Sequence, residues 1–174
     1  MNGSELFPAD ELVEVVDGEG RVLDIVPRRL MRERNLRHRT VFVVLIDSRG
    51  RLVVHRRADW KDVWPGHWDV AFGGVCLVDE PWIEAARREL REEVGVTAPL
   101  RELGSGRYED DTVREIASVF LAISDGPYEF PDGEVTEHAL VPIDDLRVWV
   151  GGRRCCPDSM AIVVPLLERM DSKP

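Results

Sequence analysis

One run of seven residues, 40–46 with the sequence TVFVVLI, limits the fold more than any other segment. It is rich in β-branched residues and almost entirely apolar, as is typical of a β-strand whose two faces are both buried. The turn-forming residues 47–50 (DSRG) then lead into a second strand at 51–56. The sequence therefore predicts a hairpin at the centre of a sheet.

The flanking segments predict further elements around this hairpin. Residues 60–74 contain three Trp, one Pro and three Gly, which is too irregular for a helix and predicts a packed loop beside a site. The other predicted elements are an N-terminal β-hairpin at about 11–26 around the turn 17–20, a short basic helix at 28–36 opened by Pro27, a strand at 115–123, a short helix start at 142–146, and a C-terminal amphipathic helix at 159–170 capped by Asp158 or Ser159. The arginines of the basic helix are interpreted as a solvated face.

Length and charge limit the domain count and the partners. A chain of 174 residues suits one domain, so residues 1–174 are predicted to fold as a single unit. Asp and Glu outnumber Lys and Arg by 33 to 23, which gives a formal net charge of -10. Such a chain repels a phosphate backbone, so we expect no nucleic-acid polymer as a partner.

The N-terminal residues and the cysteines indicate the compartment. The N-terminal segment lacks the basic start and apolar run of a signal peptide, and no apolar stretch reaches the ~18 residues needed to cross a bilayer. Cys76, Cys155 and Cys156 are an odd number without metal-ligand spacing, and adjacent cysteines rarely bond to each other. We therefore expect a cytoplasmic protein without membrane contact and without disulfides.

Residues 82–94 predict an amphipathic helix with an acidic flank. Apolar side chains recur there at spacings of three and four, and Gly95 follows as a stop signal. Glu89, Glu92 and Glu93 project within roughly one third of the helix circumference. Their carboxylates are therefore predicted to meet beside the buried face of the helix.

Two interpretations of this acidic face are open. Hard carboxylate oxygens are the ligands that Mg²⁺ and Mn²⁺ prefer, and a bound cation would remove the repulsion among them. The alternative is a solvated face in which Arg87, Arg88 and Arg91 neutralise the glutamates. The wider sequence frame favours the first interpretation.

That wider frame resembles a known motif. The motif is Gly, five residues, Glu, seven residues, and then Arg-Glu-aliphatic-any-Glu-Glu-any-Gly-aliphatic. Residues 74–96 match it at every defined position, so the segment resembles the Nudix box, and nine matches over so short a span are specific. The matching residues are Gly74, Glu80, Arg88, Glu89, Leu90, Glu92, Glu93, Gly95 and Val96.

Resemblance to the Nudix hydrolase superfamily implies a fold and a metal site. The implied fold is α/β, an α/β/α sandwich with a mixed central β-sheet, to which the N-terminal hairpin is added. Arg88 would orient a glutamate by charge-assisted hydrogen bonds. Glu80 would anchor the loop to the helix, and Gly74 and Gly95 would be structural. The implied ligands of a Mg²⁺ or Mn²⁺ ion are Glu89, Glu92, Glu93 and the main-chain oxygen of Gly73.

The implied reaction is metal-assisted hydrolysis of a diphosphate linkage in a small molecule, such as a nucleoside diphosphate derivative. Nudix enzymes take their general base from the box or from a later loop. Glu93 is the first candidate for this base, within a catalytic set that includes Glu92 and Arg88. Glu134 and Glu137 are the candidates in the later loop, where a solvated role is equally open.

Three residues outside the box are candidates for substrate binding. Arg56 and Arg57 end the central hairpin, and a guanidinium fork matches phosphate oxygens. Trp68 could stack on a base, as could Trp60 and Trp64, although aromatic residues in such a loop more often serve packing. The edge of the N-terminal hairpin also offers a surface for a homodimer.

Upstream of the box, residues 37–74 resemble type 1 isopentenyl diphosphate isomerases and a hydrolase group close to them. His38 lies at a position that resembles an isomerase metal ligand and Glu115 at one that resembles a downstream acidic residue of the isomerase, so isomerisation is the rival activity. The isomerase needs a cysteine where this chain has Gly73 and a histidine where it has Val75. A non-catalytic binding domain is a further alternative, against which the intact box argues.

Overall fold

The computed structural model of the chain describes residues 8–171, and the first seven and last three residues of the predicted domain lie outside the described residues. The strands are β1 (Leu12–Val16), β2 (Val22–Pro27), β3 (His38–Ile46), β4 (Arg51–Arg57), β5 (Trp68–Asp69), β6 (Phe72–Val75), β7 (Leu100–Glu109), β8 (Arg114–Ile123) and β9 (Val135–Pro142). The α-helices are α1 (Arg28–Glu33), α2 (Trp82–Val94), α3 (Leu146–Val150) and α4 (Pro157–Asp171), with short 3-10 helices at Pro8–Asp10 and Ile143–Asp145.

Strand β3 is the centre of one mixed sheet. It runs parallel to β8, from His38 opposite Glu115 to Ile46 opposite Ile123, and antiparallel to β1, β4 and β6. Outward from these neighbours, β2 pairs with β1, β7 pairs with β8, and both β5 and β9 pair with β4. The predicted mixed sheet, central hairpin and N-terminal hairpin are confirmed.

The side chains of β3 alternate between two cores. Phe42 and Val44 pack in a cluster with Val163 of α4. Val41 and Val43 pack in a second cluster with the apolar face of α2. Each fully buried side chain of this kind contributes roughly 1.5–3 kcal/mol. Because helices cover both faces of the sheet, the fold is the predicted α/β/α sandwich.

A third, smaller cluster attaches α1 to the sheet. Met31 is 1% exposed and packs against Val13, Val15 and Val26 of the N-terminal hairpin and against Val75 of β6. Because Met31 faces the sheet, the arginines of α1 project from the faces of the helix that do not contact the sheet. This packing decides where those arginines lie.

Several predicted elements differ from the structure. The region 60–74, predicted as loop, contains β5 and the start of β6. The predicted cap at Asp158 or Ser159 is wrong, because α4 begins at Pro157 and both residues lie inside its first turn. Strands β7 and β9 were not predicted, because most of their side chains are exposed or half-buried and give no buried alternation. Within residues 8–171, no helix combines the length and apolar character needed to cross a bilayer.

Candidate active site

Helix α2 fixes the acidic side chains through its apolar face. Leu90 is 1% exposed against the sheet. The helix ends at Gly95, whose φ of 69° is a left-handed conformation that glycine adopts without strain. Glu89 and Glu93 flank the apolar stripe and are themselves buried, whereas the side chain of Glu92 is 51% exposed. The three glutamates therefore have unequal surroundings.

The Glu93 carboxylate is bound to the backbone of β6. Its Oε2 accepts a hydrogen bond from the main-chain N–H of Gly73 at 2.9 Å. Burial raises the pKa of Glu93 well above its ordinary value, and the charges of Glu89 and Glu134 raise it further. Burial also raises the pKa of Glu89, against the opposing charge of Arg88. Burial thus disfavours the charged form of both carboxyl groups, although Arg88 partly offsets this at Glu89.

Arg88 joins the box loop to the helix. Its Nε and Nη2 donate to the two carboxylate oxygens of Glu80 at 2.8 and 2.9 Å, and Nη2 also donates to the carbonyl of Val75. Its Nη1 donates to Glu89 at 2.7 Å and to Glu92 at 3.3 Å. The Glu80 oxygen that accepts from Nη2 also accepts a hydrogen bond from the main-chain N–H of Leu77. These bonds hold the loop, the arginine and one glutamate in a fixed arrangement.

Two box glycines leave room for this arrangement. A Cβ atom on Gly74 would lie 2.5–2.9 Å from the carboxylate of Glu89. A Cβ atom on Gly73 would lie 2.9 Å from the carbonyl carbon of Val41, in a backbone with φ of +154° that side chains rarely adopt. Glycine is therefore required at position 73, where the close neighbour is backbone, whereas at position 74 the side chain of Glu89 would have to shift.

The glutamates face a large cavity of about 970 Å³, a size suited to a small-molecule ligand. It collects seven of the residues that the sequence singled out for the site. Those seven are Gly73, Gly74, Arg88, Glu89, Glu92, Glu93 and Glu134. Glu134 forms an ion pair with Lys61 in the cavity wall.

The remaining candidates lie outside the lining of this cavity. Glu137 is exposed on β9 and lies 3.6 Å from Arg56, which also donates to Asp59. Arg57 donates to the carbonyl of Val63 through Nε and Nη2. Trp68 packs edge-on against Trp149, with ring centroids 4.9 Å apart. The structure therefore does not bring these four side chains to the acidic wall.

The expected meeting of three carboxylates needs a correction. Within residues 8–171, no three His, Cys, Asp or Glu side chains stand close enough together to hold a metal ion. The reason is that Arg88 binds both Glu89 and Glu92, while Glu93 turns to the backbone of Gly73. The donor chemistry still fits a hard divalent cation, whose charge would offset the cost of burying Glu93 and would add to that of Arg88 at Glu89.

The cavity contains residues that the sequence reasoning missed. Those residues are Arg28, Arg29 and Arg32 of α1 together with Lys61, whereas Trp60, which also lines the cavity, was among the stacking candidates. The interpretation of the α1 arginines as a solvated face is wrong for Arg28 and Arg32, whose side chains are only 23% and 22% exposed, whereas the side chain of Arg29 is 68% exposed. The missing signal is tertiary: the burial of Met31 decides which way the helix faces.

A small pocket of about 50 Å³ lies behind Gly73 and Gly74. Its lining includes Glu115, which is buried opposite His38 across the β3–β8 pair. Burial lowers the pKa of His38 to about 3, and burial together with Asp158 raises the pKa of Glu115 to about 8. His38 is the residue that resembles an isomerase metal ligand, and Glu115 is the one that resembles a downstream acidic residue of the isomerase.

The thiol that isomerisation needs is not supplied by a neighbour. Cys76 lies in the core against α2, and burial raises its pKa to about 12. Such a cysteine is a packing residue and a poor acid. The predicted absence of disulfides is confirmed for the described chain, where Cys76, Cys155 and Cys156 are all free.

Known proteins share this sequence pattern. The NUDIX domain family model matches residues 36–157. The Nudix hydrolase YfcD of Escherichia coli is 34% identical over 163 residues, which cover 91% of this chain and 88% of YfcD. A Nudix hydrolase of Pseudomonas aeruginosa is 38% identical over 151 residues, which cover 86% of this chain and 89% of that protein.

Solved structures share the fold. A crystal structure of a Deinococcus radiodurans protein is 26% identical with a TM-score of 0.76, and the match covers 91% of this chain and 98% of that one. A MutT protein of Methanosarcina mazei is 23% identical with a TM-score of 0.65, covering 78% and 93% respectively, and shows the fold alone. The family model and the two relatives above establish that the chain belongs to the Nudix family and is a Nudix hydrolase.

Proposed function

We propose that this chain hydrolyses the diphosphate linkage of a nucleoside diphosphate derivative or a similar small molecule, with Mg²⁺ or Mn²⁺ as the cofactor. The observation that carries the proposal is the pair of buried carboxyl groups, Glu89 and Glu93, on the wall of a 970 Å³ cavity. Burying two acids side by side is costly unless a cation uses them. Glu92 and the main-chain oxygen of Gly73 would complete the ligand set.

The side chains around the ion have separate tasks. When bound, the cation withdraws charge from the phosphate oxygens and lowers the pKa of water. Arg88 holds Glu89 in place through its hydrogen bond of 2.7 Å. The Gly73 N–H donates to Oε2 of Glu93, and Glu93 itself lines the cavity. Glu93 is therefore the residue that we assign as general base.

The two later-loop glutamates fit this role less well. Glu134 lines the cavity but is paired with Lys61. Glu137 lies outside the cavity lining on the exposed side of β9, beside Arg56. A base must reach the attacking water in the cavity, so Glu134 would be the substitute base if Glu93 proved dispensable.

A substrate panel with a matched pair of variants tests the proposal. The wild-type protein is incubated with Mg²⁺ and nucleoside diphosphates, dinucleotide diphosphates, sugar nucleotides, coenzyme A or prenyl diphosphates. We expect phosphate or phosphorylated products from at least one compound, and a rate roughly 10²–10⁴-fold lower for Glu93→Gln. Glu84→Gln is the control, because Glu84 is an exposed glutamate of the same helix that pairs with Arg87.

Equal rates for wild type and Glu93→Gln would show that the assigned base is wrong. Release of product without any divalent ion would remove the metal from the proposal. Interconversion of isopentenyl and dimethylallyl diphosphate without loss of phosphate would instead establish the isomerase activity.

A further inference from the structure

Helix α1 brings a cationic surface to the cavity. Arg28, Arg29 and Arg32 line the same 970 Å³ space as Glu89. Arg28 and Arg32 are four residues apart and therefore lie on one face of the helix. The buried Met31 fixes the helix against the sheet. The position of these guanidinium groups is thus set by packing, before any ligand is bound.

The charges of these arginines are incompletely paired. Arg28 lies 3.5 Å from Glu11, and Arg32 lies 3.5 Å from Asp62. Charge-assisted hydrogen bonds are normally about 2.7–2.9 Å long, as they are for Arg88 in the same cavity wall. The Nε of Arg32 is buried and has no hydrogen-bond partner among residues 8–171. A buried guanidinium group whose hydrogen bonds are incomplete is suited to binding the oxygens of a phosphate chain.

Trp60 presents an unused aromatic ring to the same space. It is 65% exposed and lines the cavity, with Lys61 Nζ 5.8 Å from the ring centroid. The other two tryptophans of the 60–74 segment are engaged elsewhere. Trp64 donates its Nε1–H to Asp158, and Trp68 packs on a neighbouring ring. An exposed indole beside cations is suited to stacking on a flat aromatic ring.

Building on the proposed hydrolysis, we propose that Arg28, Arg32 and Trp60 form the wall that recognises the substrate. The two arginines bind the polyphosphate chain, and Trp60 stacks on the aromatic ring joined to it. The ligand class is therefore a nucleoside di- or triphosphate or its derivative, in preference to a prenyl or simple sugar diphosphate. The acidic wall of α2 repels a bare phosphate chain, so the arginines of α1 are needed to bind the phosphates. Trp60 then determines which group on the phosphate chain is preferred.

Binding of two probes separates these contributions. ADP and inorganic pyrophosphate are titrated into the full chain by calorimetry, in buffer with a chelator so that no hydrolysis occurs. The variants are Trp60→Ala, Trp60→Phe and the double variant Arg28→Gln with Arg32→Gln. Arg34→Gln is the matched control, because Arg34 follows α1 directly and is exposed outside the cavity lining. Thermal unfolding by circular dichroism confirms that each variant is folded.

The proposal predicts a different pattern for each variant. Trp60→Ala weakens ADP binding by about fivefold or more, since stacking on one base contributes about 1–3 kcal/mol, and leaves pyrophosphate within twofold. Trp60→Phe retains most of the ADP affinity. The double arginine variant weakens both probes at least about tenfold, and Arg34→Gln changes neither.

Other outcomes overturn the inference. If wild type binds pyrophosphate but not ADP, or if Trp60→Ala weakens both probes equally, the stacking role is wrong. If the double arginine variant binds both probes as wild type does, the phosphate role is wrong. Because binding is measured without turnover, the result tests the role of Arg28, Arg32 and Trp60 independently of the proposed hydrolysis.

Discussion

The two sides of the cavity are built differently. On the α2 side, Arg88 closes a two-pronged pair with Glu80 at 2.8 and 2.9 Å. On the α1 side, Arg32 reaches Asp62 only at 3.5 Å, and its buried Nε has no hydrogen-bond partner among residues 8–171. The arginine of the α2 side is thus fully paired without a ligand, whereas Arg32 of the α1 side leaves a polar group for a ligand to satisfy.

The same contrast continues behind the box glycines. Glu115 Oε1 and His38 Nε2 are buried and have no hydrogen-bond partner in the described part of the chain. The Nδ1 of His38 is bonded to the carbonyl of Leu36 at 3.0 Å. An unpaired buried polar atom costs about 1–3 kcal/mol. The unpaired atoms of Arg32, His38 and Glu115 therefore cost stability that the fully paired Arg88 does not, and this difference can be tested.

The largest effect is expected at the tightest point of the α2 side. Gly73→Ala would place a methyl group against the backbone of Val41 in a strained conformation, so we expect the unfolding free energy to fall by at least about 3 kcal/mol. Gly74→Ala meets the movable carboxylate of Glu89 instead. It should lose activity with a smaller loss of stability. Chemical unfolding and hydrolysis assays distinguish the two variants, and equal stability losses would contradict this reading.

The next effect concerns the Arg88 pair. Arg88→Lys keeps the charge but loses the forked contact with Glu80, so we expect a loss of about 2–3 kcal/mol in unfolding free energy, together with lower activity. Arg87→Lys is the control, because its pair with Glu84 is exposed on the same helix. That variant should change stability by less than about 0.5 kcal/mol. Similar midpoints of urea unfolding for both variants would show that the forked contact between Arg88 and Glu80 does not stabilise the fold more than an exposed ion pair does.

Sequence reasoning found the α2 side because its chemistry is local. Glu89 and Glu93 sit on one helix turn, so spacing alone predicts that they share a face, and the stop at Gly95 bounds the helix. Trp68 was preferred to Trp60 as the stacking residue because composition cannot show which ring a loop buries. The α1 arginines were missed for a similar reason: their direction depends on how Met31 packs against the hairpin. A local sequence pattern predicts a helix or strand and which of its side chains share a face. It does not predict which other element that face packs against.

A pH-dependent effect of intermediate size is expected from Glu115. Its pKa is raised to about 8 by burial and by Asp158, with Asp69 adding to the rise and Arg32 opposing it. The folded protein therefore holds a proton that the unfolded chain releases above the ordinary carboxyl pKa of 4.5. The contribution of this group is fully present below pH 4.5 and is lost as pH rises toward about 8, by up to roughly 1 kcal/mol per pH unit.

The variant Glu115→Gln isolates this contribution. Its neutral side chain should give an unfolding free energy that falls less steeply than that of wild type between pH 5 and pH 7.5. Urea unfolding at both pH values measures the difference between the two slopes. Parallel curves for the two proteins would mean that Glu115 ionises in the folded state as it does in the unfolded chain.

The smallest effect on stability is expected at Arg32, and it is the sharpest test of the contrast between the two sides. Arg32→Met removes a largely buried guanidinium whose pairing is incomplete and replaces it with a flexible apolar side chain of similar length. Because the lost ion pair is long and the desolvation cost of the charge also disappears, the unfolding free energy should stay within about 1 kcal/mol of wild type. Arg88→Met removes a fully paired arginine and strands Glu80, so it should cost at least about 3 kcal/mol. An equal loss for the two variants would mean that Arg32 and Arg88 stabilise the fold to the same extent. Arg32 would then not be a group left unpaired for a ligand.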